Sequence, residues 1–337
     1  MEYDYDLLVV GSGPAGLAAG IAAGRHGLRA VLFERESVGG ELVNRHTIEN
    51  LPGSPETTGP ELRSTLVDQL RETGGKIRLA VVEDVRPIFA DTSGDDALER
   101  ADASTREQAV GSERIGDRDA DAVGFEVETG DGTYCARTVV VATGGKPIQL
   151  AISDAEAYHG RGVFYCAMCD GPLYAGETVA VSGSDDWALT DALYLADHAG
   201  RVVVIEEGSR LEAGETLRER ATDHPVIEVR THTEIHGVGG EDVLERLELF
   251  DRSKRTEYVE AVDGLYVQHG VEPASSFLPE WIPRTNSGAV AVNQSLETAV
   301  PGLFAAGDVR QSSPRTIAAA IGDGVTACRS AMRYLKT

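Results

Sequence analysis

The sequence contains little lysine: four lysines occur among 337 residues, whereas aspartate and glutamate together number 55 and the formal net charge is −24. Such a charge repels the phosphates of nucleic acids, which excludes nucleic acid as a partner. No apolar run approaches the roughly 18 residues that a membrane-spanning helix requires, so we expect no membrane association. An acidic surface poor in lysine is typical of proteins that work in high salt, and it predicts a halophilic protein.

Cysteine is scarce as well, and two of the four cysteines, Cys166 and Cys169, stand three residues apart in a CAMC sequence. Two thiols at this spacing can open and close a disulfide, and the thiolate form does the chemistry. The alternative is half of a zinc site. Zinc usually takes four ligands, and the other cysteines, Cys135 and Cys328, are single and far apart. A redox-active disulfide is therefore favoured, and it indicates a reducing cytoplasm.

The first 34 residues have the pattern of a dinucleotide-binding unit. A short apolar run over residues 5–10 predicts a buried parallel strand, and the glycine-rich sequence GSGPAG follows over 11–16. A helical stretch occupies 17–26, and a second strand over 30–34 ends in Glu34. An acid about 20 residues after the glycines accepts hydrogen bonds from a ribose. The combination predicts an adenine dinucleotide site.

Each glycine of this motif has a physical role. Gly11 permits the tight turn after the strand, and Gly13 lets the backbone approach a pyrophosphate. Gly16 lets the helix pack closely on the strand. The helix N-terminus adds unpaired N–H groups and a partial positive charge, which attract phosphates.

A second strand-helix-strand pattern lies inside the first. Residues 178–181, 186–198 and 201–205 repeat it, between glycine-rich strand ends near 144 and 307. We therefore predict an α/β fold of two Rossmann-like domains with three-layer ββα architecture, the second inserted into the first. The predicted boundaries are 1–146 with 269–337 for the first domain and 147–268 for the inserted, nicotinamide-type domain. The polar segment 90–122 is predicted to be a solvated, acidic insertion.

The chain resembles the low-molecular-weight thioredoxin reductases over most of its length. The matching stretches occur in the order of that family: GSGPAG (11–16), GGEL (39–42), TIENLPG (47–53), VVVATGGKP (139–147), GRGVFYCAMCDGPLY (160–174), ALYLADHAG (192–200), GLYVQHGVEP (264–273) and GLFAAGDVR (302–310). The resemblance implies an FAD-dependent homodimer that passes electrons to a thioredoxin-like protein, usually from NADPH. It also implies that the second domain rotates, with a hinge in the glycine-containing segments 144–150 and 266–272.

The resemblance also implies roles for individual residues. Cys169 would lie against the flavin, Cys166 would attack the disulfide of the partner protein, and Asp170 would act as acid and base or cap a helix. The implied FAD contacts are Gly11, Ser12, Gly13, Pro14, Ala15, Gly16, Glu34, Gly39, Gly40, Glu41, Leu42, Asn50, Ala142, Thr143, Gly144, Gly307, Asp308, Arg315, Thr316 and Ile317. The family usually has a glutamine where Thr316 stands, so a glutamine contact is missing here.

The nicotinamide-type domain departs from the family. Its glycine motif reads GSDDWA over 183–188, so Asp185 replaces the glycine beside the pyrophosphate and Asp186 adds a second charge. One carboxylate about 5 Å from a phosphate costs roughly 3 kcal/mol at an effective dielectric near 20. Where the family has arginines for the 2′-phosphate, this chain has Glu206 and Glu207, and Arg210 alone remains. Glu206 stands where an NAD-type ribose acid would, which leaves weak NAD binding open.

These substitutions make NADPH doubtful and favour a donor such as reduced ferredoxin or a deazaflavin cofactor. Three alternatives stay open at the level of sequence. They are an ordinary NADPH-dependent thioredoxin reductase, a dithiol oxidase that passes electrons to oxygen, and a redox sensor that keeps FAD and the disulfide without turning over.

Overall fold

The computed structural model describes residues 2–45, 47–54, 57–89, 122–152 and 154–336. The predicted insertion 90–122 lies outside these ranges except for residue 122. Contacts divide the chain into two units: unit 1 comprises Met1–Val43, Glu49–Lys146 and Glu272–Thr337, and unit 2 comprises Asn44–Ile48 and Pro147–Val271. Unit 2 thus includes residues 44–48 and 269–271, which the sequence-based boundaries placed in the first domain.

The described residues form strands and α-helices that alternate along much of the chain. In chain order they are β1 (Tyr5–Val10), α1 (Pro14–Arg25), β2 (Ala30–Glu34), α2 (Gly59–Glu72), β3 (Lys76–Leu79), β4 (Val82–Phe89), β5 (Ala122–Thr129), β6 (Gly132–Val141), β7 (Gly145–Pro147), β8 (Val163–Phe164), α3 (Ala167–Asp170), β9 (Thr178–Ser182), α4 (Asp186–Ala196), β10 (Arg201–Ile205), α5 (Glu215–Thr222), β11 (Ile227–Arg230), β12 (Thr233–Gly239), β13 (Arg246–Asp251), β14 (Thr256–Ala261), β15 (Gly264–Val267), β16 (Val271–Pro273), β17 (Leu303–Ala305) and α6 (Ile317–Tyr334).

Unit 1 is built on a seven-stranded sheet. Its strand order is β3-β2-β1-β6-β5-β4, and β17 pairs with the C-terminal part of β6. The strands β3, β2, β1, β6 and β17 are parallel, whereas β5 and β4 join in antiparallel fashion. The four residues at the end of β1 are buried, as the continuous apolar run predicts for a parallel strand covered on both faces.

Two helices of unit 1 approach each other closely at Gly324. A Cβ on Gly324 of α6 would overlap the backbone carbonyl oxygen of Ala15 in α1. We expect Gly324→Ala to lower the free energy of unfolding by about 1–3 kcal/mol, because the helices must separate to admit the methyl group. The matched control is Gly322→Ala in the same helix, where a Cβ would meet none of the described atoms within 4 Å.

Gly322→Ala should raise the stability by about 0.5–1 kcal/mol, because alanine loses less backbone entropy in a helix. Urea unfolding of both variants tests the pair of expectations. Equal shifts in the same direction would contradict the close approach of the two helices.

Unit 2 has three layers. Its central sheet is parallel, in the order β11-β10-β9-β15-β8, and a separate antiparallel sheet has the order β12-β13-β14. Leu247 of β13 packs in one core cluster with Val203 and Leu265 of the parallel sheet. Leu189 of α4 packs in another cluster with Val204. The alternate residues of β10 therefore face different layers, and the predicted α/β fold with a three-layer inserted unit is confirmed.

Two of the four points at which the chain passes between the units lie within β7 and β16, two short strands that pair with each other. Gly144 and Gly270 flank these strands with φ of +63° and +84°, in the region that favours glycine. The hinge expected in these segments stays a prediction. Among the described residues, no helix has the length and apolar character needed to cross a membrane.

Candidate active site

The glycine motif of unit 1 forms the turn between β1 and α1. Gly11 has φ +100°, its N–H donates to the Phe33 carbonyl (2.7 Å), and a Cβ there would overlap the Ala142 carbonyl oxygen. A Cβ on Gly16 would overlap the carbonyl oxygen of Gly11. Gly13 differs, since a Cβ there would meet none of the described atoms within 4 Å. Gly13 therefore leaves open space at the first turn of α1, where a phosphate can approach the helix N-terminus.

Other segments border this open space. A Cβ on Gly40 would lie 3.2 Å from the Cα of Gly13, and a Cβ on Gly307 would lie 3.0 Å from the Cβ of Ala15. The structure thus brings Gly39, Gly40 and Gly307 to the glycine motif. These residues fit a dinucleotide such as FAD, because a small residue stands at each close approach and the helix N-terminus faces a gap.

Glu34 is fixed to the glycine motif by hydrogen bonds. Its Oε2 accepts from the backbone N–H (3.0 Å) and the hydroxyl (2.7 Å) of Ser12, and its Oε1 accepts from the N–H of Glu36 (2.9 Å). Ser12 is buried, and its carbonyl accepts from the N–H of Gly39 (3.0 Å). The carboxylate is therefore held in one orientation at the end of β2. Its predicted role at the ribose stays a prediction.

The loop after β17 contains Asp308, which accepts a hydrogen bond from the Ser313 hydroxyl (2.9 Å). Burial raises the pKa of Asp308 above its ordinary value. The neighbouring Gly307 N–H donates to Asp323 of α6 (3.0 Å), and Arg310 donates to both oxygens of Asp323 (2.6 and 3.0 Å). This buried ion pair holds the loop against α6. The sequence analysis did not identify Asp323. The only indication in the sequence is that an acidic residue stands among small and apolar residues of a helix.

The remaining predicted FAD residues are placed as follows. Thr316 caps α6 by accepting from the N–H of Ala319 (3.2 Å), and Arg315 before it is exposed with φ +53°. Ile317 is buried in the first turn. The Thr143 hydroxyl donates to the Ala274 carbonyl (2.7 Å). Of the other predicted residues, Leu42 is buried in the 3₁₀-helix Gly40–Asn44, whereas Glu41 and Asn50 are exposed.

The CAMC cysteines of unit 2 form a closed disulfide. Cys166 and Cys169 are bonded to each other, with their Cα atoms 5.3 Å apart. Cys166 is the N-cap of the one-turn helix α3, and its sulfur accepts from the N–H of Cys169 (3.2 Å). Cys166 is half-buried and Cys169 is exposed. The predicted redox pair is thus assembled within a single helical turn.

Asp170, at the end of α3, is half-buried, and burial raises the pKa of its carboxyl, while His159 opposes this rise. Asp170 also precedes the 3₁₀-helix Gly171–Tyr174, but its side chain makes no capping hydrogen bond to the described residues. The structure therefore gives no support to the capping role. A carboxyl whose pKa is raised by burial is a candidate for proton transfer.

Unit 2 has a second glycine turn, between β9 and α4. Gly183 has φ +125°, and a Cβ there would overlap the Gln268 carbonyl oxygen. The Ser184 hydroxyl donates to Glu206, which also accepts from the N–H of Gly208. The turn has the backbone form of a dinucleotide loop with an acid at the end of the next strand.

Two carboxylates occupy the start of α4. Asp185 is its N-cap and accepts from the N–H of Ala188 (2.8 Å), and Asp186 accepts from the N–H of Gly214 (2.7 Å). The sequence predicted the charges but not these bonds. An aspartate directly before a helix is a common cap, and that signal was available. The protein's own carboxylate therefore uses a helix N–H group that a pyrophosphate would need.

Trp187, the next residue of α4, lies under a guanidinium group. The Arg45 guanidinium stands 4.2 Å from the centre of the Trp187 ring and forms an ion pair with Asp191 (3.0 Å). Asp191 is buried and also accepts from the Tyr266 hydroxyl. Side chains from other elements of the protein thus contact the first two turns of α4. The sequence did not indicate these contacts.

Comparisons with known proteins agree with this geometry. A family model described as "Pyridine nucleotide-disulphide oxidoreductase" matches residues 5–324. The thioredoxin reductase of Treponema pallidum is 31% identical over 338 residues, covering 100% of this chain and 99% of the relative. That of Bacillus subtilis is 28% identical over 338 residues, covering 99% and 96%. The crystal structure of Lactococcus lactis thioredoxin reductase is 26% identical, with a TM-score of 0.86 and coverage of 98% and 99%.

Proposed function

Because the chain belongs to the pyridine nucleotide-disulphide oxidoreductase family, we propose that it is an FAD-dependent disulfide reductase whose electron donor is not NADPH. Electrons pass through the Cys166–Cys169 pair to a thioredoxin-like protein. The likeness to thioredoxin reductases over the full chain supports the partner class. The observation that carries the donor proposal is the pair of carboxylates, Asp185 and Asp186, at the start of α4.

FAD would supply a two-electron carrier when bound, and unit 1 would hold it through the open turn at Gly13 and the oriented carboxylate of Glu34. The protein chemistry takes place on sulfur. With the pair reduced, the Cys166 thiolate attacks one sulfur of the partner disulfide, and the other partner sulfur leaves and takes a proton. The Cys169 thiolate then attacks the Cys166 sulfur, which releases the reduced partner and closes the disulfide again.

The assignment of Cys166 to the attack on the partner follows from the resemblance of the CAMCD sequence to the family. Asp170 follows Cys169 directly, and burial raises the pKa of its carboxyl, so we assign it the exchange of protons with the thiols. The closing of the CAMC pair needs no large backbone change, because both sulfurs lie on one helical turn.

Electrostatics argues against NADPH as donor. One carboxylate about 5 Å from a phosphate costs roughly 3 kcal/mol, and a micromolar site is worth about 8 kcal/mol, so two carboxylates remove most of it. Asp185 also satisfies the N–H of Ala188 (2.8 Å), so the phosphate loses a donor as well. Reduced ferredoxin and a deazaflavin cofactor avoid this loop, since neither requires a pyrophosphate there.

An anaerobic titration tests the donor. The yellow protein, in molar salt, is mixed in turn with NADPH, NADH, dithiothreitol and reduced ferredoxin while the visible flavin absorbance is followed. We expect bleaching by dithiothreitol and by reduced ferredoxin, and none by NADPH within seconds. Bleaching by NADPH would identify an ordinary NADPH-dependent reductase. Oxygen consumption with dithiothreitol would identify a dithiol oxidase, and no steady-state disulfide reduction with any donor would identify a sensor.

The proton-transfer role of Asp170 is tested with Asp170→Asn. We expect disulfide reduction to slow by about 10²–10⁴-fold, because no acid remains to hold the proton. The exposed Asp242→Asn is the control and should keep full activity. If Asp170→Asn retains wild-type rates of disulfide reduction between about pH 5 and about pH 9, Asp170 is not the general acid.

The same variant has an expected effect on stability. The folded-state pKa of Asp170 is raised above the unfolded value of about 3.9, so stability falls as the pH rises through the folded pKa. The asparagine avoids burying a charge. The variant should therefore melt at a higher temperature than wild type at pH 7, and the difference should shrink towards about pH 4. Thermal unfolding across this range measures it.

The proposal includes the oligomeric state, the compartment and the salt concentration in which the enzyme works. We expect a homodimer of 35.8 kDa chains that works in the cytoplasm at high salt, where the net charge of −24 is screened. Sedimentation in molar and in low salt tests the assembly.

A further inference from the structure

The glycine turns of the two units share their first two residues, glycine and serine, and the hydrogen bonds around them. Residues 11–16 read GSGPAG and residues 183–188 read GSDDWA. In each turn the first glycine has a positive φ and lies against a carbonyl oxygen of a neighbouring strand end. In each turn the serine hydroxyl donates to a glutamate 22 residues later, Glu34 in one unit and Glu206 in the other.

The surrounding backbone repeats the same bonds. The Ser12 carbonyl accepts from the N–H of Gly39 (3.0 Å), and the Ser184 carbonyl accepts from the N–H of Ala213 (2.8 Å). The far oxygen of each glutamate accepts a backbone N–H two residues on. Hydrogen bonds from the serine hydroxyl and from the N–H two residues on therefore hold the acid in unit 2 as they do in unit 1.

The turns differ at their last four positions, which lie at the start of the helix, and the last of these is Ala188 in place of Gly16. Asp185, Asp186 and Trp187 stand where unit 1 has glycine, proline and alanine. In unit 1 a Cβ at the first of these positions would meet none of the described atoms within 4 Å. In unit 2 the Asp185 side chain is directed to the helix N–H of Ala188 instead.

We infer that Asp185, Asp186 and Trp187 alone exclude nicotinamide dinucleotides from unit 2, and that the rest of the turn is a complete site in which Glu206 selects NAD over NADP. This inference rests on the proposed function, in which the wild-type protein does not use NADPH. A carboxylate accepts hydrogen bonds from a ribose 2′-hydroxyl and repels a 2′-phosphate. Glu207 adds a second negative charge next to Glu206.

The test is a transplant of the unit 1 residues into unit 2. The full-length, FAD-loaded triple variant Asp185→Gly/Asp186→Pro/Trp187→Ala is titrated with NAD⁺ and NADP⁺ by calorimetry, so that no electron transfer interferes. We expect NAD⁺ to bind at least about 100-fold more tightly than to wild type, since each carboxylate near a phosphate costs about that factor. NADP⁺ should bind at least about 10-fold more weakly than NAD⁺.

Two further variants separate the causes. Asp185→Asn/Asp186→Asn removes the charges but keeps a capping side chain, so its NAD⁺ affinity should lie between wild type and the triple variant. Adding Glu206→Ala to the triple variant should abolish the preference for NAD⁺. If the triple variant does not fold, Asp185→Gly/Asp186→Pro takes its place, with the same expected direction.

The outcomes distinguish the two claims. A triple variant that keeps its flavin spectrum and dithiothreitol reactivity but binds neither nucleotide would overturn the inference and leave the proposed function standing. Tight NADP⁺ binding by the wild-type protein would overturn the proposed donor instead. A triple variant that prefers NADP⁺ would refute the role of Glu206.

Discussion

Cys169→Ser is expected to lower disulfide reduction by at least about 10³-fold, because a hydroxyl cannot re-form the intramolecular disulfide that ends the cycle. The flavin spectrum should remain, since the residues proposed to bind FAD lie in unit 1 and Cys169 lies in unit 2. Cys166→Ser should abolish turnover to the same extent. Steady-state reduction of a thioredoxin-like substrate measures both losses, in molar salt and with reduced ferredoxin as the electron donor.

The two variants are expected to differ in what they trap. With Cys169 replaced, the Cys166 thiolate still attacks the partner and has no resolving thiol, so a stable mixed disulfide should accumulate. Cys166→Ser should trap none. Non-reducing gel electrophoresis and mass spectrometry detect the adduct. If Cys166→Ser traps the partner instead, the roles of the two cysteines are reversed, in line with the greater exposure of Cys169.

The other cysteines provide the control for this experiment. Cys135 is half-buried and Cys328 is buried, and neither is in a disulfide. Burial raises the pKa of the Cys328 thiol to about 11, so it is protonated and unreactive at neutral pH. Cys135→Ser and Cys328→Ala should keep wild-type turnover. A large loss in either would show that the thiol chemistry is not confined to the CAMC pair.

Gly13→Asp is expected to weaken FAD binding by about 100-fold or more. The substitution gives unit 1 the residue that unit 2 has at Asp185, and a carboxylate about 5 Å from a phosphate costs roughly 3 kcal/mol. The variant should fold, because Gly13 has ordinary extended backbone and a Cβ there would meet none of the described atoms within 4 Å. Flavin content after purification and the dissociation constant on reconstitution measure the effect.

Gly13→Asn separates charge from shape in this experiment. Asparagine caps a helix about as well as aspartate but has no charge. Its effect on FAD affinity should therefore be clearly smaller, and the gap between the two variants should narrow in high salt. Equal losses would assign the effect to the bulk of the side chain, and unchanged flavin content in both would place the pyrophosphate away from Gly13.

Local patterns predicted much of unit 1. The strand, glycine turn and helix over residues 5–25 follow from an apolar run, a GxGxxG spacing and helical composition, all of which act over a few residues. The ion pair of Arg310 and Asp323 was missed, because nothing within either residue's neighbourhood indicates a partner 13 residues away on another element.

In the second glycine turn, too, some features could be predicted from the sequence and others could not. Its charge was evident from Asp185 and Asp186, and the doubt about NADPH followed from charge alone. The cap on Ala188 could have been predicted from residue preference. The bond from Gly214 to Asp186 could not, since these residues are 28 positions apart and meet only after α4 and the loop before α5 have packed.

The order of residues alone decides the α/β class, the two strand-helix-strand units and the redox pair of cysteines. Each depends on a pattern of residues that is contained within one such unit or is shorter. Packing decides which loops meet at the open face of Gly13, how Ser184 anchors Glu206, and where the carboxylates at the start of α4 find their donors. These contacts depend on the order of strands in each sheet, and that order is set by the burial of whole faces rather than by any local run of residues.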